Sequence, residues 1–225
     1  MKVAVHQPQY LPWLGYFDKI AKCDCFVFLD EVQYKVREFQ NRNKIRTTDG
    51  SIWLTVPVLC HGRPKIKDIL IDNETDWKKK HLKSIETFYH KAPFFDKYYA
   101  FFEELYSKEW KKLVEINIAI ISYFLRELGI KTEIKLESEI GTSTMKTERI
   151  IEICKKLNAD TYLSGAGAKA YLDANKLVEE GIRLEYQQYN HPEYRQCFEP
   201  FVSHLSVVDL LFNEGDNSYN ILAGN

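Results

Sequence analysis

The sequence predicts an α/β fold built on a mostly parallel β-sheet. Two short, wholly apolar runs, Val3–Val5 and Cys25–Leu29, lie on either side of an amphipathic helical segment, Leu14–Lys22. An apolar run without polar alternation suits a strand that is covered on both faces, as the strands of parallel sheets are. A strand, a helix and a second strand in close succession form a βαβ unit, so the first two strands are predicted to be adjacent and parallel.

Alternation of strands and helices returns in the second half of the chain. It predicts a Rossmann-like sheet with helices on both faces. We expect residues 1–225 to form a single α/β domain around this sheet. The predicted strands are Thr132–Leu136, Asp160–Leu163 and Arg183–Tyr189, and the predicted helices are Lys146–Leu157 and Leu205–Phe212.

The segment between the two halves interrupts this alternation. Residues 31–50 are polar and basic and predict a loop, while Ser51–Leu59 and Ile66–Ile71 predict two strands of a hairpin. From residue 76 to residue 128, apolar residues recur at helical spacing, and Pro93 divides this region into two helices. We therefore expect residues 76–128 to form a helical insertion that covers the sheet.

Composition limits the classes of function. The 225 residues are 45% hydrophobic and carry a net charge of −1, which favours a globular protein and argues against nucleic-acid binding through bulk charge. The five cysteines are odd in number and include no Cys-x-x-Cys pair, so neither a disulfide framework nor a metal site is predicted. Because no apolar stretch approaches the length of a membrane span and no secretory leader is evident, a cytoplasmic location is expected.

The turn after the first strand is the strongest indication of a functional site. His6 and Gln7 stand at the end of that strand, and Tyr10 and Trp13 follow in a loop stiffened by two prolines. Ligands of open α/β sheets bind beyond the carboxyl ends of the strands. An imidazole there can bind an anion or move a proton near neutral pH, and the two aromatic rings are expected to stack on a sugar or a base. A buried histidine satisfied by the backbone is the alternative for His6.

Polar residues after the second strand are predicted to face the same crevice. Asp30 ends the apolar run and Gln33 follows it, and Asp30 is expected either to act in the site or to cap a helix. A later segment is expected either to form a solvated loop or to bind a phosphate or carboxylate. It supplies two amides, a guanidinium and an ammonium in the residues Asn41, Arg42, Asn43 and Lys44.

Small residues after the strand that ends at Leu163 predict an anion-binding turn. Ser164, Gly165 and Gly167 allow backbone N–H groups to approach an anion closely. Their spacing matches neither the dinucleotide-binding motif nor the Walker A motif, so a tight turn without a ligand is the alternative.

The last strand is also followed by a histidine and other polar groups. His191 stands close after Tyr189 and is a second candidate base. Tyr194, Gln196 and Ser206 are predicted to contact the substrate, although Ser206 can instead cap the last helix.

Several of these motifs resemble those of the WbqC-like family. Arg195 stands where the family pattern leads us to expect a proline. The resemblance implies a place in bacterial surface-polysaccharide gene clusters, and it implies transfer of a glycyl or other aminoacyl group in O-antigen synthesis. The matching segments are His6–Tyr16, Asn41–Ile45, Trp53–Val58, Tyr162–Gly165, Tyr171–Leu172, His191–Gln196, Phe198–Phe201 and Ser206–Asn213.

Three functions are compatible with these observations. The leading hypothesis is a transferase that moves an aminoacyl group onto an amino sugar, with His6 or His191 as the base. The strand, His-x-Pro turn and helix also resemble the start of HIGH-type nucleotidyltransferases and adenylate-forming ligases, which implies ATP and Mg²⁺ with Asp30 as a metal candidate. The third hypothesis is a non-catalytic protein that binds a nucleotide-linked sugar. In each case the partner is a small molecule, and the sequence does not identify a cofactor.

Overall fold

The computed structural model describes residues 1–170 and 172–224 and has a mixed α/β architecture. Tyr171, in one of the motifs above, lies outside the described residues. The strands are β1 (Lys2–His6), β2 (Cys25–Phe28), β3 (Arg42–Thr47), β4 (Gly50–Thr55), β5 (Val58–Leu59), β6 (Leu70–Ile71), β7 (Glu133–Leu136), β8 (Thr161–Ser164) and β9 (Arg183–Tyr186). The α-helices are α1 (Leu14–Ala21), α2 (Trp77–Tyr89), α3 (Phe95–Ser107), α4 (Leu113–Glu127), α5 (Glu137–Ile140), α6 (Lys146–Lys156), α7 (Ala174–Glu179), α8 (Val207–Glu214) and α9 (Ser218–Ala223).

Five strands form one all-parallel sheet in the order β7-β2-β1-β8-β9. Strand β1 pairs with β2 on one side and with β8 on the other, so the predicted adjacency of the first two strands is confirmed. Counted along the chain, the order is third, second, first, fourth, fifth, which is that of a Rossmann sheet. The prediction of a mostly parallel, Rossmann-like sheet is therefore confirmed. The order reverses between β1 and β8, and this is the topological switch point at which such sheets bind ligands.

The two faces of the sheet are covered by different helices. On one face, Ala4, Phe26 and Leu163 pack into a large core with helices α1, α4 and α8. On the other face, Val5 and Val27 pack into a smaller core with helices α6 and α7. Successive side chains of a strand point to opposite faces, and all four residues of β2 are buried. Burial on both faces explains why these strands appear in the sequence as wholly apolar runs.

The region 76–128 is helical as predicted, but it contains three helices where two were expected. The break near Pro93 separates α2 from α3, and a second break at residues 108–112 separates α3 from α4. At the second break Trp110 donates a hydrogen bond from Nε1 to the Leu105 carbonyl (2.8 Å), and Lys112 forms a β-bridge with Leu70. These contacts take the chain out of the helical path. Across residues 1–170 and 172–224, no helix has both the length and the apolar character needed to cross a membrane.

The predicted loop over residues 31–50 is wrong in its second part, because residues 42–47 form strand β3. This strand pairs antiparallel with β4, and Thr47 lies opposite Gly50 across a two-residue turn. The φ angle of Gly50 is 135°, a conformation that favours glycine. The Asp49-Gly50 pair was a usable hairpin signal. The predicted strand Ile66–Ile71 is also shorter than expected, because Ile66–Asp68 form a 3₁₀ turn and only Leu70–Ile71 form strand β6.

Candidate functional site

A cavity of about 830 Å³ opens beyond the carboxyl ends of β1 and β8. His6 is the last residue of β1 and Ser164 is the last residue of β8, and both line the cavity. Because β1 and β8 are the neighbouring strands between which the sheet order reverses, this cavity occupies the switch point. Its position and size are those of a small-molecule site.

The wall of this cavity is positively charged. Lys19 comes from α1, Lys35 from the segment after β2, and Lys146 and Arg149 from the first turn of α6. Among the described residues, no aspartate or glutamate lines the cavity. A concave surface with cations and no carboxylates attracts anions, so the geometry favours a ligand that bears a phosphate or a carboxylate.

A smaller chamber of about 300 Å³ adjoins the larger one. Both are lined by His6, Lys19, Gly165 and Gly167, so these residues lie at the boundary. The smaller chamber has no further cation among the described residues. Its remaining wall is aromatic or small and polar, and consists of Trp13, Gly15, Tyr16, Ala166, Gln187 and Tyr189. The two chambers together suit a ligand with a charged part and a less polar ring.

His6 presents a neutral imidazole at this boundary. Its Nδ1 atom is 3.1 Å from the Gln7 carbonyl, which can only accept, so Nδ1 carries the proton and Nε2 does not. In the described chain Nε2 has no hydrogen-bond partner. Burial, together with the nearby charge of Lys19, lowers the pKa of His6 to about 3. At neutral pH His6 can therefore accept a hydrogen bond from a ligand through Nε2.

Lys19 is a buried amine at the same boundary. Only 3% of the residue is exposed, and Nζ donates a hydrogen bond to the Val5 carbonyl (3.1 Å). Lys19 forms no ion pair with any residue that the structure describes. Burial lowers the pKa of Lys19 to about 7, and the Cys23 thiol offsets this only in part. Both the amine and the ammonium forms are thus populated near neutral pH.

Arg149 is held in place by residues behind the cavity wall. Its Nε atom lies 3.1 Å from Oε1 of the fully buried Glu137 and donates to the Thr144 carbonyl (3.0 Å). The two terminal amino groups of the guanidinium have no hydrogen-bond partner in the described ranges. A guanidinium fixed through Nε keeps these groups available as a fork for a phosphate or a carboxylate.

The structure brings some of the predicted site residues together. They were predicted from local signals at the ends of β1 and β8, and their side chains or backbones reach the same cavity. The Trp13 indole packs against Gly15 and stacks on the His204 ring at a centroid distance of 5.5 Å. Of the predicted residues, those that line the larger chamber are His6, Gln7, Ser164, Gly165 and Gly167. Trp13 lines the smaller chamber together with His6, Gly165 and Gly167.

Asp30 and Ser206 cap helices and do not line the cavity. Asp30 is 2% exposed, and its carboxylate accepts hydrogen bonds from the backbone N–H (2.9 Å) and the hydroxyl (2.6 Å) of Ser138 in α5. Ser206 is fully buried, and its hydroxyl accepts from the Val208 N–H (3.3 Å) at the start of α8. The capping alternative therefore accounts for both residues.

The four polar residues 41–44 belong to the β3–β4 hairpin and its approach, away from the cavity. The amides of Asn41 and Asn43 are buried and donate to backbone carbonyls, at 2.8 and 2.7 Å. Arg42 and Lys44 lie over the ring of Trp53, at 4.3 and 5.0 Å from its centroid. The Trp53 contacts lie within the hairpin and the Asn43 bond ties it to the Leu11 carbonyl in the loop before α1, so the expected phosphate site at this segment does not form part of the cavity.

Three other predicted contact residues lie in buried hydrogen-bond networks. Tyr10 is fully buried, and its hydroxyl is hydrogen-bonded to Nδ1 of His81 (2.9 Å). Tyr194 and Gln196 donate to the carboxylate of Asp209, at 2.8 and 2.7 Å. Burial raises the pKa of Asp209 to about 6. The fold uses these polar groups internally, so they do not reach the cavity.

His191 and Gln33 also lie outside the two chambers. Nε2 of His191 accepts the backbone N–H of His204 (3.1 Å), and Nδ1 is 2.9 Å from the Pro192 carbonyl. Both ring nitrogens are thus engaged within the protein. Gln33 is exposed and forms a β-bridge with Lys65. The expectation that His6, Asp30, Arg42, Ser164 and His191 line one cavity therefore holds for His6 and Ser164 only.

Sequence reasoning missed the cations of the cavity. Lys19 interrupts the buried stripe that Tyr16 and Ile20 form on α1, and a charge in an apolar stripe was a usable signal. Lys146 and Arg149 share one face of α6 through their i, i+3 spacing. The opposite wall of the cavity comes from the turn after β8. Because that turn is distant from α6 in the chain, no local pattern indicates which surface this face of α6 meets.

The fold and the site define a class: an α/β protein with a cation-lined ligand cavity at the switch point of a Rossmann-type sheet. The chain belongs to the WbqC-like protein family, whose model matches residues 7–221, and the resemblance drawn from its motifs is thereby confirmed. It is 37% identical over 218 residues to the uncharacterized protein Rv1507c of Mycobacterium tuberculosis, which covers 95% of this chain and 94% of that protein. No solved structure matches the chain significantly.

Proposed function

We propose that this protein is a transferase of bacterial surface-polysaccharide (O-antigen) biosynthesis that moves an aminoacyl, glycyl-like group onto an amino sugar. The cavity supports this proposal, because its cations suit the phosphates of a nucleotide-linked sugar and His6 and Lys19 stand at its boundary. Membership of the WbqC-like family supports the pathway.

Acyl transfer to an amine makes three demands on a site. The amine must be positioned with its lone pair toward the acyl carbonyl, it must lose a proton, and the charge on the carbonyl oxygen must be stabilised. The unprotonated Nε2 of His6 is suited to accept a hydrogen bond from the amine. Gly165 and Gly167 lack side chains, which leaves backbone N–H groups of the turn accessible to the carbonyl oxygen. The bond from nitrogen to the acyl carbon forms as the bond to the donor breaks.

A second candidate function is nucleotidyl transfer or adenylate formation with ATP. The histidine turn at the end of β1, beside a cation-lined cavity at the switch point, favours this alternative because it also suits nucleotide phosphates. In that case the phosphates occupy the larger chamber and the products include pyrophosphate.

One set of assays separates these functions. The protein is mixed with a UDP-linked amino sugar and a glycyl thioester, and the glycylated sugar is detected by mass spectrometry. In parallel, ATP replaces the thioester and pyrophosphate is measured. Glycylated sugar supports the transferase, and pyrophosphate release supports the second candidate. Binding of the UDP-linked sugar in a calorimeter without either product refutes both and leaves a non-catalytic binding protein.

Arg149→Lys is expected to weaken binding of UDP about tenfold. The substitution keeps a positive charge beside Glu137 but removes the guanidinium fork, which costs about 1.5 kcal/mol for a charged hydrogen bond. Titration calorimetry with UDP measures the change. The control is Arg126→Lys on α4, where the arginine side chain is 70% exposed and does not line the cavity. Equal affinity for the two variants contradicts a phosphate-binding role of Arg149.

A further inference from the structure

Lys19 differs from the other cations of the cavity in its surroundings. Lys35 and Lys146 are exposed, and Arg149 has Glu137 behind it. Lys19 is buried, lines both chambers, and has only the Val5 carbonyl as a hydrogen-bond partner in the described chain. Among the described residues Lys19 is therefore a buried amine at the boundary without a counter-charge.

This environment favours the neutral amine. An ammonium that is removed from water and faces no carboxylate loses solvation without a compensating ion pair, whereas a neutral amine loses much less. A neutral Lys19 can still donate one N–H to the Val5 carbonyl, and its lone pair is then free for the cavity. An ideal Cβ on Gly165 would stand 3.9 Å from Nζ, which places the amine directly beside the turn after β8.

We propose that Lys19 is the general base that accepts the proton released by the substrate amine during transfer. This role rests on the proposed function. The substrate nitrogen forms its bond to the acyl carbon, the bond from that carbon to the leaving group breaks, and the proton passes from the nitrogen to Nζ of Lys19. Lys19 then returns the proton to the leaving group or to water. His6 orients the same amine through Nε2, so the two residues have complementary tasks.

The charged groups around Lys19 are consistent with a base. His6 faces it from β1 and Cys23 from the turn that follows α1, and the other three cations belong to the same cavity wall. The neighbouring Asp18 is engaged by Lys22 (2.7 Å) and by the Gln187 amide (2.7 Å). Within the described part of the chain no carboxylate therefore holds the proton on Lys19, and burial lowers its pKa to about 7. Since the neutral form is the active base, turnover should rise as the pH increases through about 7 and then level off.

The first test measures the amine in the substrate-free protein. Limiting acetic anhydride is applied over a range of pH, and mass spectrometry follows acetylation of each lysine. Lys19 is expected to reach half-maximal reactivity near pH 7, where its amine is half deprotonated. Lys97 is the internal control, because its hydrogen bond to Asp216 raises its pKa and should delay its reaction to higher pH. A Lys19 curve that coincides with the Lys97 curve overturns the proposal.

The second test measures turnover and binding in variants. Lys19→Arg keeps a cation that does not deprotonate, so it is expected to lose about 10²-fold in turnover at every pH. Its binding of the UDP-linked sugar at pH 6, where most of the wild-type Lys19 is charged, should change by less than about threefold, because both side chains are then cations. Lys19→Met is expected to lose both turnover and affinity. Thermal melting of each variant verifies that it is folded.

The outcomes separate the role of Lys19 from the proposed function. If wild-type protein forms no glycylated sugar, the proposed function fails, and the base role fails with it. If wild-type protein is active but Lys19→Arg retains its turnover, the base role alone is overturned. Three results together support Lys19 as the base: low turnover in Lys19→Arg, intact binding of the UDP-linked sugar by that variant, and half-maximal acetylation of Lys19 near pH 7.

Discussion

Replacing His6 with alanine is expected to lower turnover roughly 10²-fold and to leave the fold intact. The loss follows because Nε2 has no hydrogen-bond partner among the described residues and lies at the boundary of the two chambers, where it can orient the reacting amine. The fold should tolerate the change, because the Gln7 carbonyl still accepts a hydrogen bond from the Tyr16 hydroxyl (3.0 Å). We expect a loss of less than about 1 kcal/mol in the free energy of unfolding. The measurements are product formation and a melting curve on the same preparation.

The matched control is His81, a histidine with a structural environment. It is 5% exposed, and its Nδ1 is hydrogen-bonded to the Tyr10 hydroxyl (2.9 Å) in the core. Burial lowers the pKa of His81 to about 4. His81→Ala should lower the free energy of unfolding by about 2–4 kcal/mol, because it leaves a cavity and removes one of the two hydrogen bonds of the Tyr10 hydroxyl, which keeps its bond to the Tyr106 hydroxyl (2.5 Å). Folded molecules should retain turnover. A His6→Ala variant that keeps its activity but melts far below wild type would show that His6 is the structural residue.

Replacing Arg46 with methionine is expected to cause the largest loss of stability. Arg46 is 1% exposed, and its guanidinium donates four hydrogen bonds to backbone carbonyls. Two of these carbonyls, those of Thr47 and Gly50, lie at the β3–β4 turn (both 2.7 Å), and the other two belong to Phe198 (3.0 Å) and Pro200 (2.7 Å). The substitution leaves these acceptors without Arg46, so we expect a loss of about 3–5 kcal/mol in the free energy of unfolding, measured by urea denaturation.

Arg42→Met provides the comparison within the same strand. Arg42 is only half-buried, and its guanidinium bonds the Arg37 carbonyl and covers the ring of Trp53. Removing a partly exposed cation from an aromatic ring costs about 0.5–1 kcal/mol. Similar losses for Arg42→Met and Arg46→Met would contradict the view that Arg46 joins the hairpin to the segment around residue 200.

Local patterns were sufficient for the sheet and for part of the site. The apolar runs at Val3–Val5 and Cys25–Leu29 predicted buried strands, because a strand covered on both faces has no polar alternation. The same reasoning placed His6 and Ser164 at carboxyl ends of strands, and adjacent parallel strands bring such ends together. The hairpin strand β3 was missed because its polar residues suggested solvent, whereas Asn43 is fully buried and bonded to backbone.

Local patterns in the sequence were enough to predict the class of fold, the strands β1, β2 and β8 and the histidine at the end of β1, but not the pairing of β1 with β8 that forms the switch point. These features depend on apolar periodicity and on turn residues, which act over a few neighbouring positions. Three-dimensional contacts establish that Lys19 is buried without a counter-charge among the described residues, that Arg149 faces the same cavity, and that Asp30 and Tyr194 are engaged elsewhere. The burial and charge state of a side chain depend on neighbours that are distant in the chain, and folding alone brings those neighbours together.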